Sequence, residues 1–123
     1  MLKKFILISL ICGLVVTLTP ALSISDVPPF DSYKSSGLQT SDVAIKATDG
    51  YLGAVLIITN GTDDVTLILY DDPDSAHGTV LWRAKVAGGD NYGGVVFYLP
   101  IRFGTGCWAD IEGTSPNYIV YYR

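Results

Sequence analysis

With 123 residues, 49% of them hydrophobic, the chain is long enough for one domain and too short for two of ordinary size. Eight Lys and Arg stand against 12 Asp and Glu, a net charge of −4, and the cations are scattered. A phosphate-binding surface needs clustered cations, so this balance argues against nucleic acid as a partner.

Residues 1–23 read as a secretory signal peptide. Lys3 and Lys4 form a basic start, 5–18 is an almost unbroken apolar run, and Thr19-Pro20 ends it. Ala21 and Ser23 are small residues before a cut at Ile24. The alternative is a retained N-terminal membrane anchor, an apolar helix ahead of the domain. The stretch from Phe5 to Leu22 lacks charge over about 18 residues, the lower limit for a bilayer span. Gly13 and Pro20 weaken a continuous helix and favour cleavage. A lipoprotein anchor is disfavoured, because Cys12 lies inside the apolar run. Either way the chain is expected to be exported: secreted, at the cell surface or in a virion. Cleavage leaves six cations against all 12 acids and Cys107 as the sole cysteine, so no intramolecular disulfide can form.

Residues 24–41 read as a flexible arm. Pro28, Pro29, Gly37 and five serines sit among few apolar side chains, too little surface to order the stretch alone. If the leader is retained, the arm is a stalk; if it is cleaved, the arm is a free end or a strand that docks on a partner.

From 42 to 123 the chain reads as one antiparallel β-sandwich of about seven or eight strands. Strands are expected over 43–48, 51–59, 65–70, 79–86, 95–99, 107–111 and 118–122, separated by turn-forming clusters. Asp49-Gly50 and Asn60-Gly61 are hairpin dipeptides, 71–78 is an Asp-rich loop, and 88–94 is a glycine-rich loop. No segment holds a helical apolar stripe. A jelly-roll and an immunoglobulin-like sandwich both fit, and the strand order stays open. The final run, 118–122, can stay ordered only as an integral strand.

Catalytic and metal chemistry find little support. His77 is the only histidine, and a zinc site needs several Cys, His or carboxylate ligands. A Ser/His/Asp triad would have to use His77, and no GxSxG elbow is present, so the chain is read as a non-enzyme without a cofactor. Asp71, Asp72 and Asp74 are weak calcium candidates, because clustered carboxylates suit that ion; backbone capping by turn aspartates explains them as well. Asn60-Gly61-Thr62 matches a glycosylation sequon and equally a tight turn. Cys107 has no cationic neighbour in sequence to activate it and reads as buried and inert.

The aromatic residues are the main binding candidates. Tyr and Trp combine a large apolar body with a polar tip, which suits protein interfaces and stacking on sugars. Most should fill the core, as strand aromatics do. Tyr92, in the glycine-rich loop, is the one expected to be exposed, with Trp82 and Trp108 as further candidates.

The run Thr59-Asn60-Gly61-Thr62-Asp63-Asp64-Val65-Thr66-Leu67-Ile68-Leu69-Tyr70-Asp71, then Gly78-Thr79-Val80-Leu81, resembles a "DGTNDATLxLYD … SGTxL" pattern. Small virion-associated, decoration-like β-sandwich proteins of bacterial and archaeal viruses carry that pattern. The ending Asn117-Tyr118-Ile119-Val120-Tyr121-Tyr122 is also similar to theirs, so the resemblance covers about 43–123. It implies a non-enzymatic structural protein working through self-association or contacts with other structural proteins. The leader departs from that pattern. The alternative function is a secreted binding module for a glycan or a surface receptor, through Tyr92, Trp82 or Trp108. A membrane is a partner only if the leader is retained.

Overall fold

The computed structural model describes residues 32–123. The expected leader, whether signal peptide or anchor helix, lies outside them. Eight strands are present: β1 (Lys34–Ser35), β2 (Val43–Lys46), β3 (Gly50–Ile58), β4 (Val65–Asp71), β5 (Thr79–Val86), β6 (Tyr92–Phe103), β7 (Cys107–Glu112) and β8 (Asn117–Tyr122). They form two four-stranded sheets, ordered β1-β8-β3-β6 and β2-β7-β4-β5, with every pairing antiparallel. The described residues contain no α-helix. The expected all-β sandwich is therefore present, with each sheet burying one face.

Alternation sets that burial. Leu52, Val55 and Ile57 of β3, and Val65, Leu67 and Leu69 of β4, are buried in the central core. Their neighbours along each strand face outward, the period-2 pattern of a half-buried sheet. Tyr118 of β8 is also fully buried, with its hydroxyl donating to the Ser41 carbonyl at 2.7 Å.

The two hairpin dipeptides do not make hairpins. β2 and β3 lie in different sheets, as do β3 and β4; only β4 and β5 are consecutive strands paired side by side. Asn60 Oδ1 accepts the N–H groups of Thr62 and Asp63, both at 2.8 Å, and so turns the chain from one sheet to the other. A turn dipeptide sets local dihedrals, whereas burial of both flanking strands decides which sheet each one joins.

The second half of the expected arm is paired. Lys34 and Ser35 lie opposite Tyr122 and Tyr121, and Gln39 exchanges backbone hydrogen bonds with Tyr118 at 2.9 and 3.0 Å. β8 provides an unpaired edge beside β3, and the arm satisfies it. Pairing of the backbone needs no apolar side chains, which is why the arm's composition concealed it.

β6 is longer than expected at both ends. It begins at Tyr92, so part of the glycine-rich loop is strand. A Cβ on Gly94 would lie 2.4 Å from the Val55 carbonyl oxygen, so glycine serves close strand approach there and not a turn. Farther along, Val96 pairs with Ala54 and Ile101 with Leu52. Residues 97–100 of β6 thus oppose Gly53 alone, and the strand bows outward as a wide bulge.

Candidate functional site

The outer face of the β1-β8-β3-β6 sheet carries three uncharged cross-strand rows, beyond the row of Arg102, Tyr51 and Arg123 at one end. Tyr121, Ala54 and Val96 form one, Ile119, Leu56 and Gly94 the next, and Asn117, Ile58 and Tyr92 the third. None of these residues is ionisable near neutral pH. In an acidic chain, three charge-free rows on one sheet face are a marked asymmetry.

The bulge in β6 extends that face. Tyr98 is 97% exposed and Leu99 78%, beside Val96 at 66% and Tyr92 at 72%. Large apolar side chains clustered in this way on one strand differ from the scattered singles normal on a soluble surface.

A groove of about 360 Å³ crosses the face between Tyr33, Gly53, Ala54, Val96 and Tyr121. A second hollow of about 340 Å³ shares Ala54, Val96 and Tyr121 and runs on toward Tyr92 and Gly94. Tyr33 forms one wall because Gly53 has no side chain: a Cβ there would lie 2.4 Å from the Tyr33 ring. The Arg123 guanidinium sits 5.5 Å from the Tyr33 ring centroid and 4.6 Å from that of Tyr51, a cation–π stack that braces the wall.

The three aromatic candidates do not converge. Tyr92 is exposed on this face, as expected. Trp82 pairs with the buried Leu69 and therefore points between the sheets, where it meets Phe97 edge-to-face at 6.1 Å. Trp108 pairs with Tyr70 on the outer face of the other sheet.

The aspartates of the calcium expectation serve the backbone. Asp71 accepts the N–H groups of Gly104 and Thr105, both at 2.8 Å, and the Thr105 hydroxyl at 2.9 Å. Partial desolvation pushes its carboxyl up, but these donors together outweigh that and hold it below the usual aspartate range. Asp72 Oδ1 accepts the N–H groups of Asp74 and Ser75, both at 3.0 Å, and its carboxyl is lowered chiefly by the Asp74 N–H. Among the described residues, no three His, Cys, Asp or Glu side chains are grouped to hold a metal ion. His77 is exposed in the same β4–β5 loop. Cys107 is fully buried, and burial, aided by the Asp71 charge, pushes its thiol up to about 12.

Val96, Tyr98, Leu99, Tyr121 and Tyr33 were not singled out from the sequence. The legible signal was three stretches without a charge, 50–62, 92–101 and 113–122, which hold most of β3, β6 and β8. The edge strand β6 carries its only charge, Arg102, near its end, while edges are commonly blunted by charges along their length. Comparison of the chain with known protein families, curated proteins and solved structures finds no match.

Proposed function

We propose that this chain is a non-enzymatic, exported structural protein that packs against neighbouring subunits of a surface layer or virion. The observation that carries this reading is the set of three charge-free rows on the outer face of the β1-β8-β3-β6 sheet, with Tyr98 and Leu99 projecting from the bulge of its edge strand. Burying such a face removes apolar surface from water at no cost in lost ion hydration. The strand order β1-β8-β3-β6 over β2-β7-β4-β5 supports a jelly-roll, an architecture used by capsid proteins and lectins alike. The resemblance over 43–123 to decoration-like virion proteins points the same way, and residues 1–23 support export.

Sedimentation of the full chain in a mild non-ionic detergent tests the reading. Association through this face is expected, and Val96→Lys should abolish that contact by placing a charge in the row it shares with Ala54 and Tyr121. A chain that stays monomeric at all concentrations overturns the proposal.

A second reading rests on Tyr92, exposed at the end of the groove: a secreted module that stacks a sugar ring there. A glycan array read with Tyr92→Ala as control separates the two. Binding lost in that variant, from a protein that does not associate, favours the module.

A further inference from the structure

The opposite face of the sandwich carries charges of both signs, and their pattern is ordered. On the outside of the β2-β7-β4-β5 sheet, Glu112, Thr66 and Lys85 form one cross-strand row, and Asp110, Ile68 and Arg83 form the next. Both acids therefore lie on β7 and both bases on β5, with the uncharged Thr66 and Ile68 of β4 between them. Within one chain each acid is two strands from the base in its row, about 9–10 Å across the sheet. Among the described residues neither acid is ion-paired with the base of its row. The salt bridge on this side of the sandwich joins Lys85 to Asp64 at 2.6 Å and is exposed at both ends.

The acids are crowded by their own kind. Burial, then the charges of Asp42 and Glu112, push the Asp110 carboxyl above its usual range. Asp42 is committed to the Ile111 N–H at 2.8 Å. A cation brought to this edge would relieve that repulsion.

We propose that this face is a two-fold interface between two copies of the chain, with Asp110 and Glu112 of one copy facing Arg83 and Lys85 of the other. A two-fold axis lying along β4 exchanges the two flanks of the sheet and keeps every row at its own height. It sets β7 of one copy over β5 of its partner, so Glu112 meets Lys85 and Asp110 meets Arg83, each pair twice. The next row obeys the same operation. Trp108, Tyr70 and Val80 lie side by side, and the axis brings Trp108 over Val80 and Tyr70 over Tyr70. Ile68 and Tyr70 on the axis then form an apolar centre and the charged strands a rim, the usual anatomy of an interface. The occupant is a second copy because the acids and bases are spaced alike along their strands, in the same rows and equally far from β4. An isologous contact requires that self-complementarity. This interface uses none of the residues of the uncharged rows on the first face and does not depend on the function proposed for them.

A charge-swap cycle tests the interface. Arg83→Asp and Asp110→Arg are made separately in the full chain, each with a distinct mass tag, and examined by native mass spectrometry in a mild detergent. Each variant alone turns two attractive pairs repulsive, and its homodimer is expected to weaken at least about tenfold. Mixed together, the two variants restore both pairs and should form a heterodimer as tight as the wild-type dimer. Circular dichroism of each variant checks the fold, which exposed Arg83 and half-buried Asp110, both on the sheet's outer side, should leave intact. Failure of the mixture to recover the dimer overturns the interface, as does a wild-type dimer indifferent to either reversal. If Val96→Lys abolishes higher assembly yet leaves this dimer, the two faces are separate contacts. If the charge-swap rescue depends on Val96, the assignment to this face is wrong.

Discussion

Asp71, the last residue of β4, holds Thr105 by two bonds at once, from its N–H at 2.8 Å and its hydroxyl at 2.9 Å. The Gly104 N–H adds a third at 2.8 Å. This carboxylate pins the turn between β6 and β7, and therefore the point where the chain leaves one sheet for the other. Asp71→Ala should cost about 1–2 kcal/mol, since hydrogen bonds to a charged acceptor exceed neutral ones but this one is partly solvated. Thermal melting near neutral pH measures the loss.

The same carboxylate predicts a pH dependence. Its native pKa is depressed, so its contribution is complete above the unfolded aspartate value of about 3.9 and is lost as pH falls through the lower, folded value. The stability gap between wild type and Asp71→Ala should therefore be constant from neutral pH down to about pH 5 and close below about pH 4. Denaturant titrations at stepped pH check this. A gap that widens in acid would reverse the sign of the assigned shift.

Tyr33 and Gly53 give a prediction specific to the groove. A Cβ on Gly53 would lie 2.4 Å from the Tyr33 ring, so Gly53→Val must push that ring away or bend the bulge. A cost of about 1–3 kcal/mol is expected for such overpacking. Tyr33→Ala in the same background removes the clash and should restore part of the loss. Non-additivity in that double-mutant cycle is the readout, and simple addition of the two effects would show that the ring does not pack there.

How far the sequence revealed this molecule depends on which interaction decides each feature. The strands β3, β4, β5, β7 and β8 were legible because alternating burial writes itself into the residue pattern. The sheet to which each strand belongs was not legible: Asp49-Gly50 and Asn60-Gly61 read locally as hairpins, yet they connect strands of opposite sheets. Lys34 and Ser35 were missed because their order comes from backbone bonds to β8, which any residue except proline can make. The apolar face was half legible. Tyr92 was picked out as exposed, but Tyr98 and Leu99 reach solvent only because four residues of β6 bulge opposite Gly53, a register property that no local pattern encodes.

Cys107 should be silent in the native protein. It is fully buried and its thiol is raised to about 12, so almost no thiolate exists near pH 8 and no reagent can reach it. An Ellman-type assay is expected to read no fast-reacting thiol at 107 in buffer and one in denaturant; Cys12→Ser removes any signal from the leader. Rapid native labelling of Cys107 would contradict its burial.

The final strand predicts the most severe loss. β8 lies between β1 and β3, pairing with both, and it also exchanges backbone bonds with Gln39. Removing 118–123 strips β3 of one hydrogen-bonded neighbour, frees the arm, and deletes the buried Tyr118 and Val120 from the core. Truncation of buried Phe or Trp to Ala costs about 3–5 kcal/mol, so deleting Tyr118 alone approaches the whole stability of a small domain. A chain ending at Asn117 should show no cooperative melting transition. The milder Tyr118→Phe keeps the ring and removes only the bond to Ser41, so it should fold and lose about 1 kcal/mol. The contrast between those two melts separates the strand's structural role from the hydrogen bond it carries, and a truncated chain that still melted cooperatively would show that the sandwich closes without β8.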